Sequence, residues 1–148
     1  MTAASAAQGA EGRRAARRLA VVVLYQHDVT GLPIEELIEN TERDRRRPID
    51  DFTRALIDGV AVDTDSLDAL ITKAAEGWTA DRLAPLERNI LRVAVHELLD
   101  WDEIPAAVSI NEAVEQAKTF CGAEAPGFVN GILGRIAREV RPEAGEGA

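Results

Sequence analysis

Arg13, Arg14, Arg17 and Arg18 stand within six positions and run directly into seven apolar residues, Leu19 to Tyr25. At about 100° per residue, Arg13 and Arg17 share one stripe of a helix, and Arg14 and Arg18 share the next. Tyr25 returns to the stripe of Arg14 and Arg18, roughly 10 Å further on at 1.5 Å per residue. Four cations near the start of a helix repel one another and oppose its dipole. A phosphate backbone relieves both conflicts. The competing reading is a solvated face with scattered ion pairs to the rest of the chain.

The charge distribution favours the first reading. The 148 residues carry a net charge of −9, yet residues 1–30 hold four arginines against only Glu11 and Asp28. Residues 31–148 hold 13 of the 17 basic side chains and 24 of the 26 acidic ones. An acidic body with a basic arm suits a polyanion bound at one place.

Other residues invite chemistry less strongly. The run Arg43 to Pro48, "RDRRRP", resembles the first cluster but is expected in a linker, with Asp44 inside it and Asp50 and Asp51 after it. Glu87 and Glu97 lie in or beside the apolar face of "PLERNILRVAVHELLDW", where a carboxylate needs a partner. A structural ion pair is expected for Glu97, and either that or a partner contact for Glu87. In "APGFVNGILGRI", Phe128 stands off the apolar stripe with Gly131 and Arg135 on its side. An aromatic ring at a helix start can stack a base, while interior glycines mark close backbone approach. The alternative makes Phe128 a core edge and the glycines helix-packing sites.

Catalysis has little support. Cys121 has no histidine at an implicating spacing, and His27 and His96 are too few for a zinc site. "GAEAPG" lacks the Gly-Lys-Ser/Thr of a phosphate loop. No metal and no cofactor is expected. A single cysteine excludes an intramolecular disulfide, and no apolar run approaches the roughly 18 residues of a membrane span. The arginine-led start imitates a signal peptide but lacks a cleavage site, so a mature, cytoplasmic protein is expected.

Helices must position these groups. Pro33, Pro48, Pro85, Pro105 and Pro126 each fall at or just before an apolar segment, where a helix tolerates proline. The segments span about 13–29, 34–41, 49–76, 85–101, 109–121 and 127–140. Phe52, Leu56, Ile57, Val60, Leu67, Leu70, Ile71 and Ala74 form one buried stripe. Ile110, Ala113, Val114, Ala117 and Phe120 form a second, after a Ser109/Glu112 capping box, with Gly122 closing that helix. Val129, Ile132, Leu133, Ile136 and Val140 form a third. Only Val21 to Tyr25 reads as strand, and a lone strand has no ladder partner. The fold class is therefore all-α, a bundle of about six to seven helices. Residues 1–11 are expected to be disordered, 12–141 to form one domain, and 142–148 a flexible tail.

In order and spacing, "RRAARRLAVVVLYQ", "LERNILRVAVHELL", "IPAAVSINEAVEQAKTF" and "FVNGILGRI" resemble the NusB family of bacterial transcription antitermination factors, over about residues 13–140. The resemblance implies two three-helix subdomains and no enzymatic activity. It implies binding to boxA-type single-stranded RNA of ribosomal RNA operon transcripts together with NusE, a small-subunit ribosomal protein, within an antitermination complex on RNA polymerase. RNA contacts are then expected from Arg13, Arg14, Arg17, Arg18, Tyr25, Lys118, Phe128 and Arg135, and partner contacts from Glu87 and Arg92. Ala125, Pro126 and Gly127 depart from the family's more polar loop, which removes side-chain contacts there. A homodimer that occludes the RNA surface is a further expectation. The alternative function is an interaction scaffold, or homodimeric regulator, whose arginines serve only protein contacts.

Overall fold

The computed structural model describes the backbone of residues 3–142 and the side chains of residues 12–142. The expected disordered start falls on residues 1–11, whose side chains lie outside that description, and the expected tail lies outside it beyond Pro142. The helices are α1 (Ala3–Thr30), α2 (Ile34–Arg45), α3 (Asp51–Ala74), α4 (Pro85–Asp100), α5 (Ala106–Phe120) and α6 (Ala125–Val140), with a 3-10 turn at Ala80–Arg82. No strand occurs among the described residues, and Val21 to Tyr25 is helical. None of the described helices is long and apolar enough to cross a membrane.

The chain forms two compact units, residues 1–58 and 59–148. Helix α3 is shared between them, and it bends at Asp63 (φ −108°, ψ 18°). In the first unit Ala20, Val21, Val23 and Leu24 of α1 are buried, as are Leu37 and Ile38 of α2 and Leu56 and Ile57 of α3. The "RDRRRP" run is not a free linker: Arg43, Asp44 and Arg45 form the last turn of α2. Cations there face the helix's exposed carbonyls, a favourable end of the dipole. Arg46 then adopts the left-handed conformation (φ 58°, ψ 35°). Its N–H donates to Arg43 O at 3.3 Å, and the Arg47 N–H donates to Glu42 O at 3.2 Å, the paired bonds of a Schellman closure.

The second unit is built around α4, in which nine residues between Asn89 and Leu98 are buried. Its polar residues Arg88, Asn89, Arg92 and His96 are buried or half-buried, because these groups find partners there. Asn89 Nδ2 donates to Pro85 O at 2.7 Å, and Ser109 Oγ donates to Glu97 Oε1 at 2.9 Å. The end of α4 is capped by Arg141, whose guanidinium donates to the carbonyls of Leu98, Glu97, Trp101 and Ile104. Glu97 is structural, as the sequence suggested.

Helix α5 starts three residues earlier than expected, at Ala106 behind Pro105, so Ser109 is interior and no capping box forms. Its buried stripe includes Ser109, Glu112 and Gln116, while Phe120 is exposed. Nor does Gly122 take a left-handed cap, since Cys121 ends α5 in extended conformation (φ −121°, ψ 176°). The α3 and α6 stripes largely match expectation, with Leu67, Ile71, Val129, Ile132, Leu133 and Ile136 fully buried and Phe52, Leu70 and Val140 at the margin.

Candidate nucleic-acid interface

Helix α1 separates its arginines by depth. Arg17 is 3% exposed, and its guanidinium lies 5.5 Å from the centroid of Phe52, in the first turn of α3. Arg13 shares that ring at 4.9 Å and is half-buried. The expectation that Arg17 grips RNA is therefore corrected: its charge is held inside the first unit by a cation–π contact. Arg14 is exposed and Arg18 half-buried. Helix α1 begins at Ala3, so the arginines are interior to it and the expected dipole conflict disappears.

The face that carries Arg14 continues as Arg18, Val22, Tyr25 and Val29, at steps of four, four, three and four. Val22, Tyr25 and Val29 are 45%, 36% and 50% exposed. Counting the steps from Arg14 would have found Val22 and Val29 on the outward stripe. The result is a stripe about four turns long with cations at one end and an aromatic ring among aliphatics at the other.

In the second unit, Glu87 and Phe128 come together. They line a concavity of about 360 Å³ with Trp78, Arg82, Leu83 and Ala84 at the N-terminal ends of α4 and α6. Trp78 is 53% exposed, and it follows a chain reversal at Glu76 (φ 36°) and Gly77 (φ 91°). Sequence reasoning missed Trp78 and Arg82, although Gly-Trp after a helix marks a turn that presents the ring. Two rings, a guanidinium and the carboxylates of Glu87 and Glu124 around one cleft suit a flat, polar-edged group.

The remaining candidates are engaged within the second unit. Arg92 is held in two-point contact by Asp68 (2.7 and 2.6 Å), and its side chain is 11% exposed. Arg135 donates to Ala74 O at 2.8 Å and so caps α3, and Lys118 pairs with Glu115 at 3.2 Å. Neither interior glycine marks close approach: a Cβ on Gly131 would meet nothing within 4 Å, and one on Gly134 only Arg138, at 3.7 Å. Burial, with the Glu87 carboxylate adding to it, pushes the Cys121 thiol above its ordinary range. No cluster of three or more His, Cys, Asp or Glu able to hold a metal occurs among the described residues.

A sequence model of the NusB family matches residues 14–138. The chain belongs to the NusB family. It is similar to transcription antitermination protein NusB of Rubrobacter xylanophilus, at 41% identity over 91% of this chain and 96% of that one. The corresponding protein of Salinispora arenicola is 45% identical over 84% of this chain and 94% of its own. Among solved structures, T. maritima NusB superposes with a TM-score of 0.79 at 35% identity, covering 90% of this chain and 96% of that one. A NusB crystallised with NusE and dsRNA superposes at 0.77 with 28% identity, over 86% of this chain and 96% of that one. The NusB match thus spans the outward stripe of α1 and the Trp78–Phe128 cleft.

Proposed function

We propose that this NusB-family chain is a transcription antitermination factor that binds boxA-type single-stranded RNA of ribosomal RNA operon transcripts. It does so together with NusE and promotes read-through by RNA polymerase in the cytoplasm, by binding and without catalysis. The observation that carries the reading is the outward stripe of α1. Arg14 and Arg18 meet phosphates there, and Tyr25 offers a face on which a base stacks. Arg17 and Arg13 fix the stripe by anchoring α1 to Phe52. Phe128 supplies a second stacking face, and Glu87 beside it a contact for the protein partner. The crystallised assembly of a relative with NusE and dsRNA supports the same pairing of partners.

The test is capture of a labelled boxA-type RNA by the full-length protein, with and without NusE, against an RNA of the same composition in scrambled order. Preferential capture of the boxA-type strand with NusE present is expected. Equal capture of both strands, or of neither, contradicts the reading.

A further inference from the structure

The function above leaves the second arginine cluster unused. Arg43, Arg45, Arg46 and Arg47 are all exposed. No hydrogen bond or ion pair of their side chains occurs among the described residues, whereas nearby Arg54 is held by both Glu35 and Asp58. A solvated decoration does not need a fixed backbone, but this turn has one. The Schellman closure fixes Arg46 and Arg47, and Glu42 Oε2 accepts the Ile49 N–H at 2.9 Å on the far side of Pro48. Arg46 occupies the left-handed position where glycine is the favourable residue. An arginine kept there at a cost in backbone energy points to use of the side chain.

The turn also faces α1. Arg45 and Arg47 line a cleft of about 300 Å³ with Gly12, Ala15, Ala16 and Leu19. Those four positions form one face of α1, about a third of a turn from the Arg14/Arg18 stripe. Ala15, the member of that face nearest the stripe, is exposed and small. The acidic group in the cleft, Asp50, is turned to its own helix: Oδ1 accepts the Thr53 N–H at 2.7 Å. Its negative charge is thereby balanced by the start of α3.

We propose that the Arg45–Arg47 turn is a second phosphate-binding station for the same single-stranded RNA. A strand leaving the Arg14/Arg18 stripe crosses Ala15 and enters the cleft, a step on the order of 10 Å, the width of a helix. This rests on the RNA-binding reading above and extends it to strand flanking the part held by α1. The occupant is a nucleic-acid backbone: the cleft offers two guanidiniums, whose planar forks match phosphate oxygens, and no aromatic ring lines it.

The test titrates the full-length protein, with NusE present, with boxA-type RNA carrying its flanking single strands, over a range of salt. Three proteins are compared: wild type, Arg45→Ala/Arg47→Ala, and Arg46→Gly. Each lost contact lowers the single-strand salt slope by about 0.7, so the double variant loses about 1.4 in slope and about 25-fold in affinity at 0.1 M salt. Arg46→Gly is expected to melt at a higher temperature and still bind RNA more weakly. Wild-type affinity and slope in both variants, alongside weakened binding by Arg14→Ala/Arg18→Ala, overturn this inference and leave the α1 reading standing. A wild-type protein that binds no RNA overturns both.

Discussion

The guanidinium of Arg17 lies 5.5 Å from the ring centroid of Phe52, in a residue that is only 3% exposed. One turn of α1 thus divides between a buried arginine and an exposed one, Arg14. A desolvated cation–π contact is worth about 2 kcal/mol, and the aliphatic stem adds packing. Arg17→Ala is therefore expected to destabilise the fold by about 2–3 kcal/mol in urea unfolding. Arg14→Ala is expected to stay within about 0.5 kcal/mol of wild type. Equal stabilities for the two variants would refute this division.

Gly59 of α3 is required by His96 of α4. A Cβ at residue 59 would lie 2.2, 2.4 and 2.8 Å from three ring atoms of His96. Alanine is ordinarily better than glycine inside a helix by about 1 kcal/mol. Here Gly59→Ala is expected to destabilise by about 1–3 kcal/mol, because the buried ring has no room to retreat. Removing the ring should restore space, so Gly59→Ala/His96→Ala is predicted to cost less than the two single changes added. Additive costs in a double-mutant cycle would contradict the clash.

His96 also sets a pH dependence. It is 5% exposed, and Trp101 Nε1 donates to its Nε2 at 3.3 Å, which requires that nitrogen to be an acceptor. Asp100 lies 3.1 Å from Nδ1, and it, Glu97 and Asp63 favour the charged ring, but burial dominates and lowers the pKa from 6.5. The folded state thus holds the ring neutral while the unfolded chain takes up a proton below about pH 6.5. Stability from this group is full above that pH and falls as the pH drops towards the lower folded value. The fall in unfolding free energy between pH 7.5 and 5.5 should be smaller in His96→Gln than in wild type. An identical pH dependence in the two proteins would remove His96 as the cause.

The helices were legible because their apolar positions recur at three and four residues and prolines mark their starts. Boundaries failed where a side chain had a distant use. Ser109 looks like a cap only until Glu97 is known to lie beside it. Arg13 and Arg17 share a stripe in sequence as plainly as Arg14 and Arg18, and nothing local says which pair meets Phe52. For Arg92, the partner that commits it, Asp68, stands 24 positions away on another helix. Phe128 and Glu87 were identified singly, but their shared cleft depends on how α4 and α6 pack, which no local spacing encodes.

Phe128 is half-buried at the cleft rather than in the core. Stacking one base is worth about 1–3 kcal/mol, whereas emptying a core phenylalanine site costs about 3–5 kcal/mol in stability. Phe128→Ala is expected to weaken RNA binding within the first range and to lose less stability than the second. Melting curves and RNA titrations on the same variant read both quantities. A collapse in melting temperature with RNA affinity per folded molecule intact would place the ring in the core.

The central claim is that the outward stripe of α1 binds RNA through its phosphates. The salt dependence of boxA-type RNA binding, compared between wild type and Arg14→Ala/Arg18→Ala, tests it most directly. Each phosphate contact contributes about 0.7 to the slope of log affinity against log salt for a single strand. The account predicts a slope lower by about 1.4 in the double variant, with its melting temperature close to that of wild type. A folded double variant with wild-type affinity and an unchanged slope would contradict it.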